Sequence, residues 1–192
     1  VVGTLAGYAL ARLRFPGRQA FGRLILLAYM FPPVLLVIPL FVTFSRLHLI
    51  GSPYALILAY VTFALPFDVW MLKGFFDSLP RELEDSAAID GCGRLGTLRR
   101  VVLPISGPGL AAVATFSFML AWGEFLFAIT FVHLEQKKTL AAGMFNLIVR
   151  YQAPDIGLLS AVGLILAVPP VLLFLLLQRW MVAGLTSGAV KG

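Results

Sequence analysis

The stretch IGLLSAVGLILAVPPVLLFLLL, residues 156–177, carries no charged side chain over 22 consecutive positions. A helix needs about 20 mostly apolar residues to cross a hydrocarbon core of roughly 30 Å, so this run can span a bilayer. Two further runs, LILLAYMFPPVLLVIPLFVTF at Leu24 to Phe44 and VVLPISGPGLAAVATFSFMLAWG at Val101 to Gly123, are equally free of charge. Ser52 to Leu72 is interrupted only by Asp68. Val1 to Leu13 is too short to cross, and its abrupt start reads as the inner half of a truncated helix. These windows predict an all-α fold: a polytopic transmembrane helix bundle with four complete spans and one truncated N-terminal span.

Composition points the same way. Of 192 residues, 60% are hydrophobic and 12% charged, with a mean hydropathy of +0.95. Average soluble domains are about 45–50% apolar and about 25% charged, so a water-soluble globule is excluded. Cys92 is the sole cysteine and closes no internal disulfide, and no Cys/His cluster has metal-ligand spacing. Val1 lies inside an apolar run with no basic leader before it. The chain therefore reads as one domain over residues 1–192 that has lost its N-terminal part.

The net charge of +6 would raise nucleic acid as a partner in a soluble protein. In a membrane protein the same excess sets orientation, because Lys and Arg accumulate in cytoplasmic loops. With the spans alternating in direction, Arg12, Arg14, Arg18, Arg23, Lys73, Arg81, Arg94, Arg99, Arg100, Arg179 and Lys191 fall on one side. Arg46, Lys137, Lys138 and Arg150 fall on the other. That asymmetry places the Phe15 to Gln19 turn, the Lys73 to Arg100 segment and the C-terminus in the cytoplasm, with no need for nucleic acid. Pro32, Pro33, Pro39, Pro66, Pro108, Pro169 and Pro170 lie within the spans, where each removes a backbone donor and tends to kink or break a helix. Broken helices at membrane depth suit a transporter, although proline is also simply commoner in membrane helices.

The longest polar stretch, FDSLPRELEDSAAIDGCGRLGTLRR at Phe76 to Arg100, lies between the second and third complete spans. Pro80 fits a first helical turn, and Glu82, Glu84 and Asp85 crowd that turn, where the helix dipole favours negative charge. Leu83 and Ala87, with Ala88 beside them, share a face, and Gly91 and Gly93 end the helix. A second short helix from about Arg94 to Val102 stops at Pro104. Two small helices make a compact cytoplasmic knob.

The spacing Asp85-Ser86-Ala87, three residues, Gly91, nine residues, Val101-x-Leu103-Pro104 resembles the cytoplasmic EAA loop of ABC-importer permeases, with Asp85 standing for the usual Glu, Ser86 for the first Ala and Val101 for Ile. Leu79-Pro80-x-Glu82-Leu83 and Ile89-Asp90-Gly91 match that pattern as well. The ending from Gln178 to Gly192, ARLRFPGR at Ala11 to Arg18 and AWGEFLFA at Ala121 to Ala128 are similar to the carbohydrate-uptake, maltose- and trehalose-type branch, where Trp-Asn-Glu/Asp is commoner than Trp122-Gly123-Glu124. The resemblance covers the whole chain. It implies the type I importer permease fold with the first family helix absent. It also implies a second permease subunit, two cytoplasmic ATPase subunits, an extracytoplasmic solute-binding protein and a sugar substrate, in a bacterial or archaeal plasma membrane.

On this resemblance the segment 76–104 couples to the ATPase through Glu82, Glu84, Asp85, Ser86, Ala87, Ala88, Asp90, Gly91, Leu103 and Pro104. Small residues admit another backbone in a helix-in-groove contact, and Gly91 permits the sharp turn. A cap packed on the chain's own helices is the competing reading. No GxxxxGK[ST] loop occurs, so ATP hydrolysis is expected on a separate subunit and not as an enzymatic activity here. No cofactor or metal is expected on this chain.

Other residues carry two readings each. Glu124, near the outer end of its helix, either lines an outer gate or translocation path with Trp122 and Phe125, or is a helix-end residue reaching interfacial water or a neighbouring subunit. Trp122, Phe125 and Phe127 fit an outer aromatic belt, or stack on a sugar ring. Asp68 reads as a snorkelling interfacial carboxylate, with a proton relay as the alternative, His48 as solvated, and Arg99 and Arg100 as meeting anionic lipid or the ATPase. The outer segment 133–155 holds Leu140, Met144, Leu147 and Ile148 at helical spacing after Thr139. On the resemblance this loop meets the binding protein; the alternative is a helix lying flat on the membrane. The function classes in play are a carbohydrate ABC permease, a permease for another solute, a secondary carrier, and an assembly subunit without a path.

Overall fold

The structure, a computed structural model, describes residues 1–150 and 156–189. Within these residues the chain forms helices only: α1 (Val2–Arg12), α2 (Arg18–Met30), α3 (Val37–Arg46), α4 (Pro53–Ser78), α5 (Glu82–Ile89), α6 (Arg94–Thr97), α7 (Leu103–Ile105), α8 (Gly107–Gly123), α9 (Leu126–Phe131), α10 (Leu140–Arg150) and α11 (Ile156–Ala189). The all-α expectation holds. Residues 151–155 of the outer segment, and 190–192 with the basic Lys191, lie outside the described residues.

The long helix α4 organises the rest. Ser52 caps it by accepting from the Tyr54 amide at 3.2 Å, and Pro53 occupies the first turn, where no donor is needed. Near its start Ala55, Leu56 and Ala59 form a core with Phe44, Phe127, Phe131, Val132 and Ala142. Near its end Leu72 and Phe76 form a second core with Tyr8, Ala11, Leu98, Val102 and Val113. The two cores mark opposite ends of the bundle. The α1–α2 turn and the polar knob share one end, and the α3–α4 and α9–α10 connections share the other.

Helix α1 packs on α4 through Gly3, Gly7 and Ala11, one small residue per turn. A Cβ on Gly7 would stand 3.0 Å from the Leu72 Cβ and 3.2 Å from the Lys73 amide nitrogen. The backbones meet because neither glycine carries a side chain, the usual route to helix association in a bilayer. Gly109 does the same for α8, where a Cβ would fall 2.5 Å from the Phe75 ring.

The spans are less regular than the uncharged windows imply. Among the described residues, only α4 and the Ile156–Arg179 part of α11 are single helices long and apolar enough to cross a membrane. The Leu24 to Phe44 window is a bent pair, Arg18–Met30 and Pro33–Arg46, at 93°; Val101 to Gly123 falls within a second, Arg94–Ile105 and Gly107–Gly123, at 79°. If each pair counts as one span the total is four. Pro32 and Pro33 cause the first break, since each disfavours the helical region for the residue before it and Phe31 is extended at ψ 125°. Pro66, Pro169 and Pro170 instead sit inside unbroken helices. The expected stop at Pro104 is also corrected. There the backbone widens, the Leu103 amide donates to the Leu98 carbonyl five residues back, and the helix continues to Ile105. A proline at 104 lacks the donor and its ring crowds the Arg100 carbonyl, which a wider turn relieves.

Candidate functional site

The knob between α4 and α8 has two unlike legs. Its second leg is anchored: Thr97, Leu98 and Val102 are buried, the last two in the core shared with Tyr8 and Phe76. Its first leg, α5, is mostly exposed and held along one face. The helix starts at Glu82, two residues after Pro80, and the face it turns inward carries Glu84 and Ala87, not the expected Leu83 and Ala87. Leu83 is exposed.

Glu84 is gripped from α1. Arg12 Nε donates to its Oε1 as an ion pair, with the two side chains 6% and 17% exposed. The Tyr8 hydroxyl donates to Oε2 at 3.0 Å, and Arg12 also donates to the Leu79 carbonyl at 2.8 Å. Tyr8 and Arg12, one turn apart, therefore tie the knob to the first helix. Reading the knob in isolation missed both, although their i, i+4 spacing and polar ends on an apolar helix were visible.

The outward face holds Glu82, Asp85, Ser86, Ala88, Asp90 and Gly91, all exposed, with Ile89 at 87% and Leu95 at 72% exposure. Leu103 is half-buried and Pro104 exposed. Gly91 ends α5 with φ +80°, while its amide donates to the Ala88 carbonyl and the Cys92 amide to the Ala87 carbonyl at 2.9 Å. That is a Schellman cap, whose left-handed residue glycine adopts without strain. The carboxylates of Glu82, Glu84 and Asp85 all lie in the first turn, complementing the helix dipole.

A second group of polar residues sits at the opposite end. The Glu124 carboxylate accepts from the Phe127 amide at 2.8 Å and the Ala128 amide at 3.3 Å, which caps α9, and from the Tyr60 hydroxyl at 3.1 Å. It thus holds the break between α8 and α9. Trp122 donates its indole N–H to the Leu166 carbonyl at 2.9 Å. That carbonyl is the acceptor Pro170 leaves free four residues on, so Trp122 repairs the gap and joins α8 to α11. Phe125, exposed, stacks on Phe145 of α10 with centroids 5.1 Å apart. Phe127 does not belong to an aromatic belt: it is 2% exposed, packed between Phe63 and Phe131. Thr139 starts α10 by accepting from the Ala142 amide, as its position before the periodic stretch predicts.

Asp68 is not a snorkelling residue. It is half-buried in α4 and accepts from the Ser117 hydroxyl of α8 at 2.6 Å. A cleft of about 440 Å³ runs past Gly3, Tyr60, Asp68 and Ser117. Tyr60 and Asp68 on α4 and Ser117 on α8 are the polar side chains along this cleft, which is otherwise lined by apolar residues such as Ile57, Val61, Ala64, Leu65 and Ala121.

An all-helical bundle with bent spans, a few polar side chains between them and a laterally tethered surface knob fits a membrane permease. The chain belongs to the family of binding-protein-dependent transport system inner membrane components, whose pattern matches residues 2–187. It is 39% identical to the inner membrane ABC transporter permease protein YcjP of Escherichia coli K12 over 193 residues, covering 100% of this chain and 68% of that protein. It is 37% identical to the trehalose transport system permease protein SugB of Mycobacterium tuberculosis, covering 100% of this chain and 70% of that one. A solved bacterial ABC transporter involved in import of the acidic polysaccharide alginate shares its fold, with a TM-score of 0.67 at 21% identity over 100% of this chain and 70% of that chain. The protein is a membrane-embedded transport subunit of an ABC importer, not an enzyme. Family membership brings a partner ATPase and a solute-binding protein.

Proposed function

We propose that the chain forms one half of the translocation pathway of a carbohydrate importer, taking a di- or oligosaccharide. It pairs with a second, non-identical permease subunit and is served by two ATPase copies and an extracytoplasmic binding protein. The observation that carries this reading is the two-faced α5: one side gripped by Arg12 and Tyr8, the other an exposed run of Asp85, Ser86, Ala88 and Ile89 suited to a partner's groove. The ending from Gln178 to Gly192 and the trehalose permease relative support sugar as the solute class. The basic asymmetry supports a cytoplasmic knob and C-terminus, with the segment 133–155 outside and facing the binding protein.

In this reading ATP binding closes the ATPase dimer and moves α5, and the Arg12–Glu84 link passes that movement to α1 and thence to α4. The bundle swings from inward-open to outward-open, and hydrolysis resets it. A ligand or nucleotide shifts such an equilibrium only through contacts that differ between the two states. Trp122, Glu124 and Phe125 shape the outer gate by holding the α8–α9 break, and Tyr60, Asp68 and Ser117 line the path. These three polar side chains between α4 and α8 favour a path over an assembly subunit without one. The chain uses no cofactor or metal of its own.

The test is sugar-stimulated ATPase activity of the complex reconstituted with its binding protein. Gly91→Pro, whose ring fixes φ near −65° where +80° is needed, is expected to leave membrane insertion intact and abolish stimulation. Normal stimulation in that variant refutes the coupling. Stimulation by a loaded binding protein carrying a non-sugar solute, with trehalose and maltose inert, redirects the solute class alone. Dependence of uptake on an ion gradient instead of ATP would support a secondary carrier.

A further inference from the structure

The α1–α2 turn is a place where local helix rules are broken. Helix α2 starts at Arg18 after Gly17, which has φ +80° and no side chain to cap the helix, and its first turn holds no acidic residue. It carries the cation Arg18 instead, although a positive charge at a helix N-terminus opposes the dipole. Arg14, Arg18 and Arg23 border the open cleft at this end. Arg18 donates to the Ala11 carbonyl at 3.1 Å, while Arg14 and Arg23 make no ion pair or hydrogen bond within the described residues. Beside it a cleft of about 580 Å³ lies between α2 and α4, lined by Arg18, Gln19, Arg23, Leu26, Trp70 and Lys73. No Asp or Glu lines either cleft; on α4, Asp77 pairs with Lys73 and Asp68 is held by Ser117 of α8.

This groove is graded. Arg18 stands at the turn, Arg23 about 7.5 Å and Leu26 about 12 Å further along α2 at 1.5 Å per residue. Trp70, half exposed, faces it from α4. From Leu24 onward the outer surface of α2 is apolar, with Leu24, Leu27 and Met30 exposed. A basic mouth at a helix end that leads into an apolar wall matches a molecule with an anionic head and hydrocarbon chains, and basic pockets between transmembrane helices hold such heads.

We propose that the α2–α4 groove binds an anionic glycerophospholipid, its phosphodiester held by Arg14, Arg18, Arg23 and the free amides opening α2, its acyl chains lying along Leu26 and Trp70. The site is independent of which solute is carried. It supplies the counter-charge the turn lacks and ties the α1–α2 corner, next to Arg12, to the membrane surface.

The complex, purified with its ATPase subunits from vesicles of equimolar phosphatidylglycerol and phosphatidylcholine, is washed in neutral detergent and its retained phosphatidylglycerol quantified. The wild type is expected to retain phosphatidylglycerol over phosphatidylcholine. Arg14→Gln and Arg23→Gln, which remove no intramolecular bond, are each expected to reduce retention about fivefold, at about 1 kcal/mol per cation near a surface. Arg23→Lys is expected to keep most of it, and Arg46→Gln, at the other end of the bundle, all of it. Displacement of the lipid by inorganic phosphate in the wash would mark a free-phosphate site and overturn the lipid assignment. Unchanged retention in the Arg14→Gln/Arg23→Gln double variant would overturn it too, as would loss of the ATPase subunits from that variant with lipid retained, which would make the turn a protein contact.

Discussion

Glu84 and Asp85 are neighbours with similar side chains and opposite fates. In the sequence either could supply the carboxylate of the coupling motif, and only the fold separates them: Glu84 turns to Arg12 and Tyr8, Asp85 to the exterior. Arg12→Ala leaves the part-buried Glu84 carboxylate with only the Tyr8 hydroxyl and no counter-charge, and is expected to cost about 2–3 kcal/mol. It should lower the melting temperature of the purified complex, and Arg12→Ala/Glu84→Ala should recover much of the loss. Additive losses in the double variant would mean the two residues do not act as a pair. Trp122 makes a parallel case. Trp122→Phe is expected to cost about 1–2 kcal/mol by leaving the Leu166 carbonyl unpaired. In a Pro170→Ala background, where the helix can satisfy that carbonyl itself, the same change should cost much less, as read from the two melting curves.

At the scale of elements, small residues decide which helices touch. Gly3, Gly7 and Ala11 bring α1 against α4, and Gly109 brings α8 against Phe75. Gly7→Leu forces its side chain into the Leu72 and Lys73 backbone and is expected to cost about 1–3 kcal/mol. It should separate α1 from α4, measured as lost cross-linking between cysteines placed at Ala11 and Phe76. The Gly91 cap is different in kind, because open space surrounds it and only its backbone is special. Gly91→Ala is therefore expected to cost about 1–2 kcal/mol, from the left-handed conformation alone, whereas Gly91→Pro breaks the turn.

Over the whole molecule, the fold gathers two basic segments at one end. Arg12 reaches Leu79 and Glu84, and Arg18 and Arg23 share a cleft with Lys73, so the turn after α1 and the knob after α4 belong to the same membrane face. An impermeant maleimide is expected to label Cys92, half-buried in the knob, only in inside-out vesicles stripped of ATPase. A cysteine at exposed His48 in a Cys92→Ala background should react only in right-side-out vesicles. The reverse pattern would invert the topology drawn from the charges.

The sequence by itself determined that this protein is helical and lies in a membrane, because uncharged runs of about 20 residues are insoluble as anything else. It also marked the short helix that ends at Gly91, whose signals are local, and the start of α10 after Thr139. The tertiary structure decided what depends on a partner distant in the chain: that Glu84 faces inward, that Asp68 meets Ser117, that Phe127 is core, and that Trp122 answers the carbonyl left by Pro170. Which prolines break a helix was equally illegible. A freed carbonyl that finds a donor on another helix lets the helix run on, and that donor lies 44 residues away in sequence for Leu166.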